Sequence, residues 1–237
     1  MKVIAKSEDP TDLIPLDHIV DHPEISGTYR PLDKQWANQL EQSIAHSRLD
    51  SPLVVWDGGA KVAEVEIDTD DGKITVKPTF LIDGNHRRQA LKQLRKSDST
   101  RFNQLFGKGI PVIVRTGSLK EALCAQLRFN CARKDPAAEE LLPLMIRLRD
   151  EFEMMGKQIA ASIGRSTSFV SRIFQIEEEG GAEAVEEVKK GGISAKQAIK
   201  AAAEIRKERK SGGKPDVKAK FAKAKINTKI ARKNRYT

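Results

Sequence analysis

The sequence is poor in the residues that mark several classes of protein. Its 237 residues hold two cysteines and four histidines, and no Cys or His cluster has the spacing of zinc ligands. Cys124 and Cys131 lie seven residues apart in a stretch that reads as helical. Two turns of helix separate them too widely for a disulfide, so they are expected as buried or half-buried thiols. No apolar run approaches the ~18 residues of a membrane-spanning helix. The opening residues, MKVIAKSEDPTDLI, lack the apolar core of a secretory signal, which predicts cytoplasmic residence and no membrane partner.

Charge is what the sequence has in quantity: 32% of residues are charged against 39% apolar, with a net charge of +9. That charge is unevenly placed. From Ile205 to Thr237 there are 13 Lys+Arg and two acids, a net +11, so residues 1–204 carry 9 − 11 = −2. The basicity belongs to a Lys-rich, aromatic-poor end. Such an end reads as a nucleic-acid-binding extension or as a tail kept charged for solubility.

Periodicity divides the chain. LIPLDHIVDHPEIS (13–26) reads as a short strand and a Pro-marked turn. A helix opening at Leu32-Asp33 places Trp36, Leu40 and Ile44 on one apolar face through about Ala45. SPLVVW (51–56) and IPVIVR (110–115) read as buried strands, and KVAEVEID (61–68) and KITVKPTFLI (73–82) as alternating strands joined by the hairpin signal TDDG (69–72). Helices are expected from the turn at Asp83-Gly84 to about Leu94 and over residues 118–134. Asp135-Pro136 resembles an N-cap followed by Pro at the first helical position, ahead of the stripe Leu141, Met145, Leu148 and Phe152. No strand signal follows. The sequence therefore predicts a mixed α/β part to about residue 134, helices after it, a late helix over 191–210, and a flexible break at SGGKPD (211–216).

Within the helical half, KQIAASIGRSTSFVSRIFQI (157–176) has the pattern of a helix-turn-helix. Ala160 is small enough for two helices to cross, Gly164 accepts the left-handed turn, and Ile163, Val170 and Ile173 fill the wedge. Ser166 can cap the second helix. Arg165, Thr167, Ser168, Ser171 and Arg172 are left outward, and these residue types, with Ser166, touch phosphates and base edges in a major groove.

In the first half, FLIDGNHRRQALKQL (80–94) hands a strand to a helix at Asp83-Gly84. Backbone N–H groups at such a corner favour anions, and Arg87 and Arg88 add guanidinium forks that match phosphate oxygens. Two arginines on an exposed first turn can equally be solvated.

The order of these pieces resembles the ParB-like partition-protein family. GNHRRQA (84–90) is similar to its Gly-Glu-Arg-Arg-x-Arg-Ala box, LEQSIAHSRLDSPLVVW to its Ser-Ile…Gly…Pro-Ile block, and RFNCARKDPAAEE (128–140) to its Glu-Asn-x-Gln-Arg…Asn-Pro-x-Glu segment, with the helix-turn-helix next and GGISAKQAIKA after it. The resemblance covers roughly residues 13–203. It implies an α+β ParB/sulfiredoxin-like N-terminal domain, residues 1–117, then an all-α helix-turn-helix domain, 118–210, and a basic flexible tail, 211–237.

The resemblance implies a double-stranded DNA-binding, nucleoid- or plasmid-associated homodimer that acts in plasmid or chromosome partition or related regulation, with a ParA-type ATPase as partner. CTP with Mg²⁺ would be its cofactor, held by Gly84, Asn85, His86, Arg87, Arg88, Asn130 and Arg133, with Asn130 toward the metal. No catalytic residue is implied, and weak CTPase activity at most. The sequence departs from the family where Asn85 and His86 replace the box's Glu and first Arg, and where Phe129 and Ala132 replace the Glu and Gln of the second segment. Two alternatives follow: a nuclease or nucleotidase using Asp83, His86 and Arg87, and a transcription repressor without nucleotide binding. The family's C-terminal dimerisation domain is replaced by a short helix and the basic end.

Overall fold

The computed structural model describes residues 12–26, 34–59, 62–69, 72–132 and 136–234. The chain divides into two compact units, Met1–Ala122 and Leu123–Thr237. The boundary lies a few residues beyond the one expected at 117.

The first unit is built on a five-stranded mixed sheet. Its strands are β1 (Asp12–Ile14), β2 (Ile19–Val20), β3 (Leu53–Trp56), β6 (Thr79–Asp83) and β7 (Ile110–Arg115), while β4 (Val65–Thr69) and β5 (Gly72–Val76) form a separate antiparallel pair. The sheet order is β1-β7-β3-β6-β2. β3 runs parallel to β7 and antiparallel to β6. Helices α1 (Pro23–Ser26), α2 (Lys34–Ser47), α3 (Asn85–Ser97) and α4 (Ser99–Phe106) complete it. Leu53, Val55, Leu81 and Val112 of the sheet meet Leu91, Leu94, Phe102 and Phe106 of the helices in one buried core.

Several local expectations change here. The strand expected over 73–82 is two strands in different sheets, because Lys77 and Pro78 interrupt it, and Pro lacks the N–H a ladder needs. Strands β4 and β5 pair as the hairpin signal predicts, although Asp70 and Asp71 lie outside the described residues. The segment 13–26 makes two short strands around a 3-10 turn, Leu16–His18, and then α1. The phase of α2 is rotated. Ala37 and Ile44 are buried and Leu40 is half-buried, while Trp36 stands 47% exposed. Helix α4 had no counterpart in the sequence reading; Asp98 caps it by accepting from the Arg101 N–H at 2.8 Å.

The second unit is helical. Helix α5 (Leu119–Ala132) contains the boundary, and α6 (Ala138–Asp150), α7 (Gly156–Ile163), α8 (Thr167–Lys189), α9 (Ala195–Lys210) and α10 (Val217–Lys233) follow. The N-cap of α6 is Ala137, a correction to the Asp135-Pro136 cap; Asp135 lies outside the described residues. Leu141, Met145 and Leu148 are fully buried as expected, whereas Phe152 falls beyond the helix and is half-buried. Helix α9 begins only after Gly191 and Gly192, both at left-handed φ, and Ser194 caps it.

The basic end is the largest revision of the expected domains. Residues 217–233, read as flexible tail, form α10, which packs on α8 and α9. Phe221, Ala224 and Thr228 recur every three to four residues and are buried. The Ser194 N–H donates to Thr228 Oγ1 at 3.1 Å, which ties α10 to the cap of α9. Among the described residues, no helix is long and apolar enough to cross a membrane.

Candidate functional site

The strand-to-helix corner of the first unit is formed as expected. β6 ends at Asp83, Gly84 adopts φ 103°, and α3 starts at Asn85. Glycine is required here twice over. The backbone is left-handed, and a Cβ would stand 2.6 Å from Leu53 Cδ2. The first helical bond of α3 runs from the Arg88 N–H to the Gly84 carbonyl at 2.8 Å, so the positive end of the α3 dipole lies at residues 84–87.

The two arginines of the corner are engaged within the protein. The Arg87 Nη1 donates to the Ser51 carbonyl and hydroxyl, both at 2.9 Å, and to the Pro52 carbonyl at 2.5 Å, while Nη2 donates to Asp83 at 2.7 Å. Arg87 thus clamps the start of β3 to the end of β6. Asp83, a metal ligand in the enzyme alternative, is its ion-pair partner.

Arg88 is 5% exposed and turns the other way. It donates to the Ile19 carbonyl at 3.2 Å and to both Asp21 carboxylate oxygens at 2.6 and 2.8 Å. Arg88, expected among the phosphate ligands, spends these donors on acceptors within the protein. It is a buried tie to the end of β2, because a guanidinium inside the fold needs an acceptor for its donors and Asp21 supplies a matching fork.

Gly84 is buried at the corner, and Asn85 and His86 are half-buried in the first turn of α3. The His86 ring stands edge to face with the indole of Trp36, centroids 4.7 Å apart and planes 76° apart. Sequence reasoning placed Trp36 in the core and so missed this contact. The signal was a tryptophan one position before the true core residue, Ala37.

Asn130 lies on α5 in the second unit and is 5% exposed; Arg133 lies outside the described residues. Among the described residues, no group of three or more His, Cys, Asp or Glu side chains could hold a metal. The first turn of α3 carries the positive end of its helix dipole, the end that suits an anion. Cys124 and Cys131 are free and buried, and burial pushes the Cys131 thiol up to about 11.

The helical pair in the second unit matches its sequence pattern closely. Gly164 ends α7 at φ 66°, and Gly164, Arg165 and Ser166 make the turn into α8. The Ser166 hydroxyl caps α8 by accepting from the Phe169 N–H at 3.2 Å. Ala160, Ile163, Val170 and Ile173 are buried between the helices and the core. Arg165, Ser166, Thr167, Ser168, Ser171 and Arg172 are all exposed.

The exposed group is not uniform. Arg165 donates through Nη2 to the Cys131 carbonyl and lies over the Phe169 ring, 5.6 Å from its centroid. Arg172 is held lightly, its Nε donating to the Ser168 carbonyl of the preceding turn at 3.1 Å. Its guanidinium head is the freer of the two. Arg128, which the sequence reading did not single out, donates through Nε and Nη2 to the Ser162 carbonyl at 2.9 and 2.6 Å and so caps the last turn of α7.

No protein-family model and no curated protein matches the chain. Among solved structures, it is similar to the C-terminally truncated chromosome-partitioning protein ParB from Caulobacter crescentus complexed to the centromeric parS site. That likeness has 18% identity and a TM-score of 0.49, and covers 91% of this chain and 100% of that one. It is also similar to the same truncated Caulobacter crescentus protein complexed with CTP-gamma-S, with 19% identity, a TM-score of 0.35, and coverage of 81% of this chain and 91% of that one.

Proposed function

We propose that the chain is a sequence-specific double-stranded DNA-binding protein of the ParB type, with the first turns of α8 as its reading element. One observation carries this reading. A buried wedge fixes α7 against α8 while Thr167, Ser168, Ser171 and Arg172 stand exposed together at the N-terminal end of α8. That end of a helix, bearing hydroxyls and a guanidinium, suits phosphate oxygens and base edges in a major groove. In this reading a homodimer binds a two-fold site and acts in partition or related regulation, with a ParA-type ATPase as partner. The corner at Gly84, Asn85 and His86 takes a phosphate of a nucleoside triphosphate, CTP in this reading, with weak hydrolysis at most.

A second reading, a DNA-binding regulator without a nucleotide switch, is favoured by one specific observation: Arg87 and Arg88 both have protein partners already.

Selection of duplexes from a random pool tests the first reading. It is expected to enrich one two-fold-symmetric sequence, and a pool without enrichment would remove the claim of sequence reading. Calorimetry with CTP, ATP and GTP separates the two readings. Saturable binding of one nucleotide favours the switch, and no heat with any of them favours the regulator.

A further inference from the structure

The first unit holds an open cavity of about 490 Å³ whose lining includes none of the residues at the α3 corner. We infer that this cavity is a binding site for a small organic acid with an apolar body. Its volume falls in the ordinary range of ligand pockets. The lining comes from three places in the chain: Arg48-Leu49 after α2, the C-terminal end of α4, and the β1–β7 edge of the sheet.

Leu49, Leu105, Phe106 and Pro111 give it apolar walls, and Arg48 and Lys108 stand exposed at its rim. Leu13, which also lines it, is 55% exposed, so the wall includes apolar surface that folding has left in water. Neither rim cation has a side-chain hydrogen bond or ion pair among the described residues. Apolar walls under two uncompensated positive charges complement a carboxylate on a hydrocarbon body.

Arg48 is strained in its backbone as well. It sits at φ 68°, one of two non-glycine residues at positive φ among the described residues. The position follows the C-terminus of α2, where glycine is the usual choice, and an arginine there costs on the order of 1 kcal/mol. Lys108 follows the C-terminal end of α4 as Arg48 follows that of α2, so each cation also offsets its helix's dipole, and only Arg48 carries the backbone strain as well. The same stretch runs on to Ser51 and Pro52, whose oxygens accept from Arg87. The cavity and the α3 corner therefore share one short run of backbone.

The test is a titration of the full chain with octanoate, followed by methyl NMR, with octanol as the neutral control. Saturable shifts are expected at the Leu49 and Leu105 methyls, with octanol at least several-fold weaker. Arg48→Gly suits the left-handed backbone and should raise the octanoate dissociation constant about tenfold; Lys108→Ala should raise it less. The inference is overturned if no saturable shift occurs, if octanol binds as well as octanoate, or if Arg48→Gly leaves the affinity unchanged.

Discussion

Arg88 and Arg172 both lie in the first two turns of a helix, yet their surroundings assign them opposite work. The guanidinium of Arg88 is inside the fold with its donors on Asp21 and Ile19. Removing it leaves the Asp21 carboxylate and the Ile19 carbonyl without their partner. Breaking a fully buried pair costs ~3–5 kcal/mol, and because the Asp21 side chain stays 46% exposed the expected loss for Arg88→Ala is about 2 kcal/mol. Urea denaturation measures it. A variant of wild-type stability that had lost nucleotide affinity would return Arg88 to the phosphate site. Arg172→Ala should leave stability unchanged, since its head group makes only one light contact. On the selected DNA site it should cost about 1–3 kcal/mol in anisotropy titrations while sparing random duplexes. Equal loss on both would make Arg172 a phosphate contact. Sequence alone could not separate these two arginines, because the acceptor that claims Arg88 lies 67 residues away.

Elements were legible where their rules are local. The α7–α8 turn needs a left-handed residue, a cap and a small crossing residue within a few positions, and Gly164, Ser166 and Ala160 supply them. The phase of α2 was misread because Trp36, Leu40 and Ile44 satisfy helical spacing as well as Ala37, Leu40 and Ile44 do. Hydrophobicity favours the indole, whereas close packing admits the methyl group. Helix α10 was missed because its lysines outnumber the buried stripe of Phe221, Ala224 and Thr228. What lets α10 dock is a break in α8. Gly181 adopts φ 65°, ψ −168°, and a Cβ on neighbouring Gly180 would lie 3.2 Å from the Phe221 ring and 2.1 Å from Ala184 Cβ. Gly181→Ala should cost about 1–3 kcal/mol, since that conformation is nearly confined to glycine. Phe221→Ala should cost about 3–5 kcal/mol for an aromatic side chain removed from the core. Thermal unfolding reads both, and a neutral Phe221→Ala would mean that α10 is not anchored there.

Residues 205–237 carry a net +11, while residues 1–204 carry −2. Part of that charge is consumed internally: Lys218 pairs with Glu183, Lys220 with Glu208, and Arg206 and Arg209 with Glu179. Lys223, Lys229 and Lys233 are exposed on α10, and their side chains make no ion pair or hydrogen bond among the described residues. Because they are carried on a packed helix, they hold positive charge at fixed positions rather than on a loose chain, and ordering them at a phosphate backbone loses less entropy. If they meet DNA, each contact neutralises a phosphate and releases a counterion, adding about 0.9 to the slope of log K against log salt. Replacing all three by Ala keeps good helix formers on an exposed face, so folding should be unchanged. The salt slope should fall by up to about three of those increments, equally on selected and random duplexes. An unaltered slope in a folded triple variant would show that the basic helix of this chain does not touch DNA and that its charge serves the protein's own solubility.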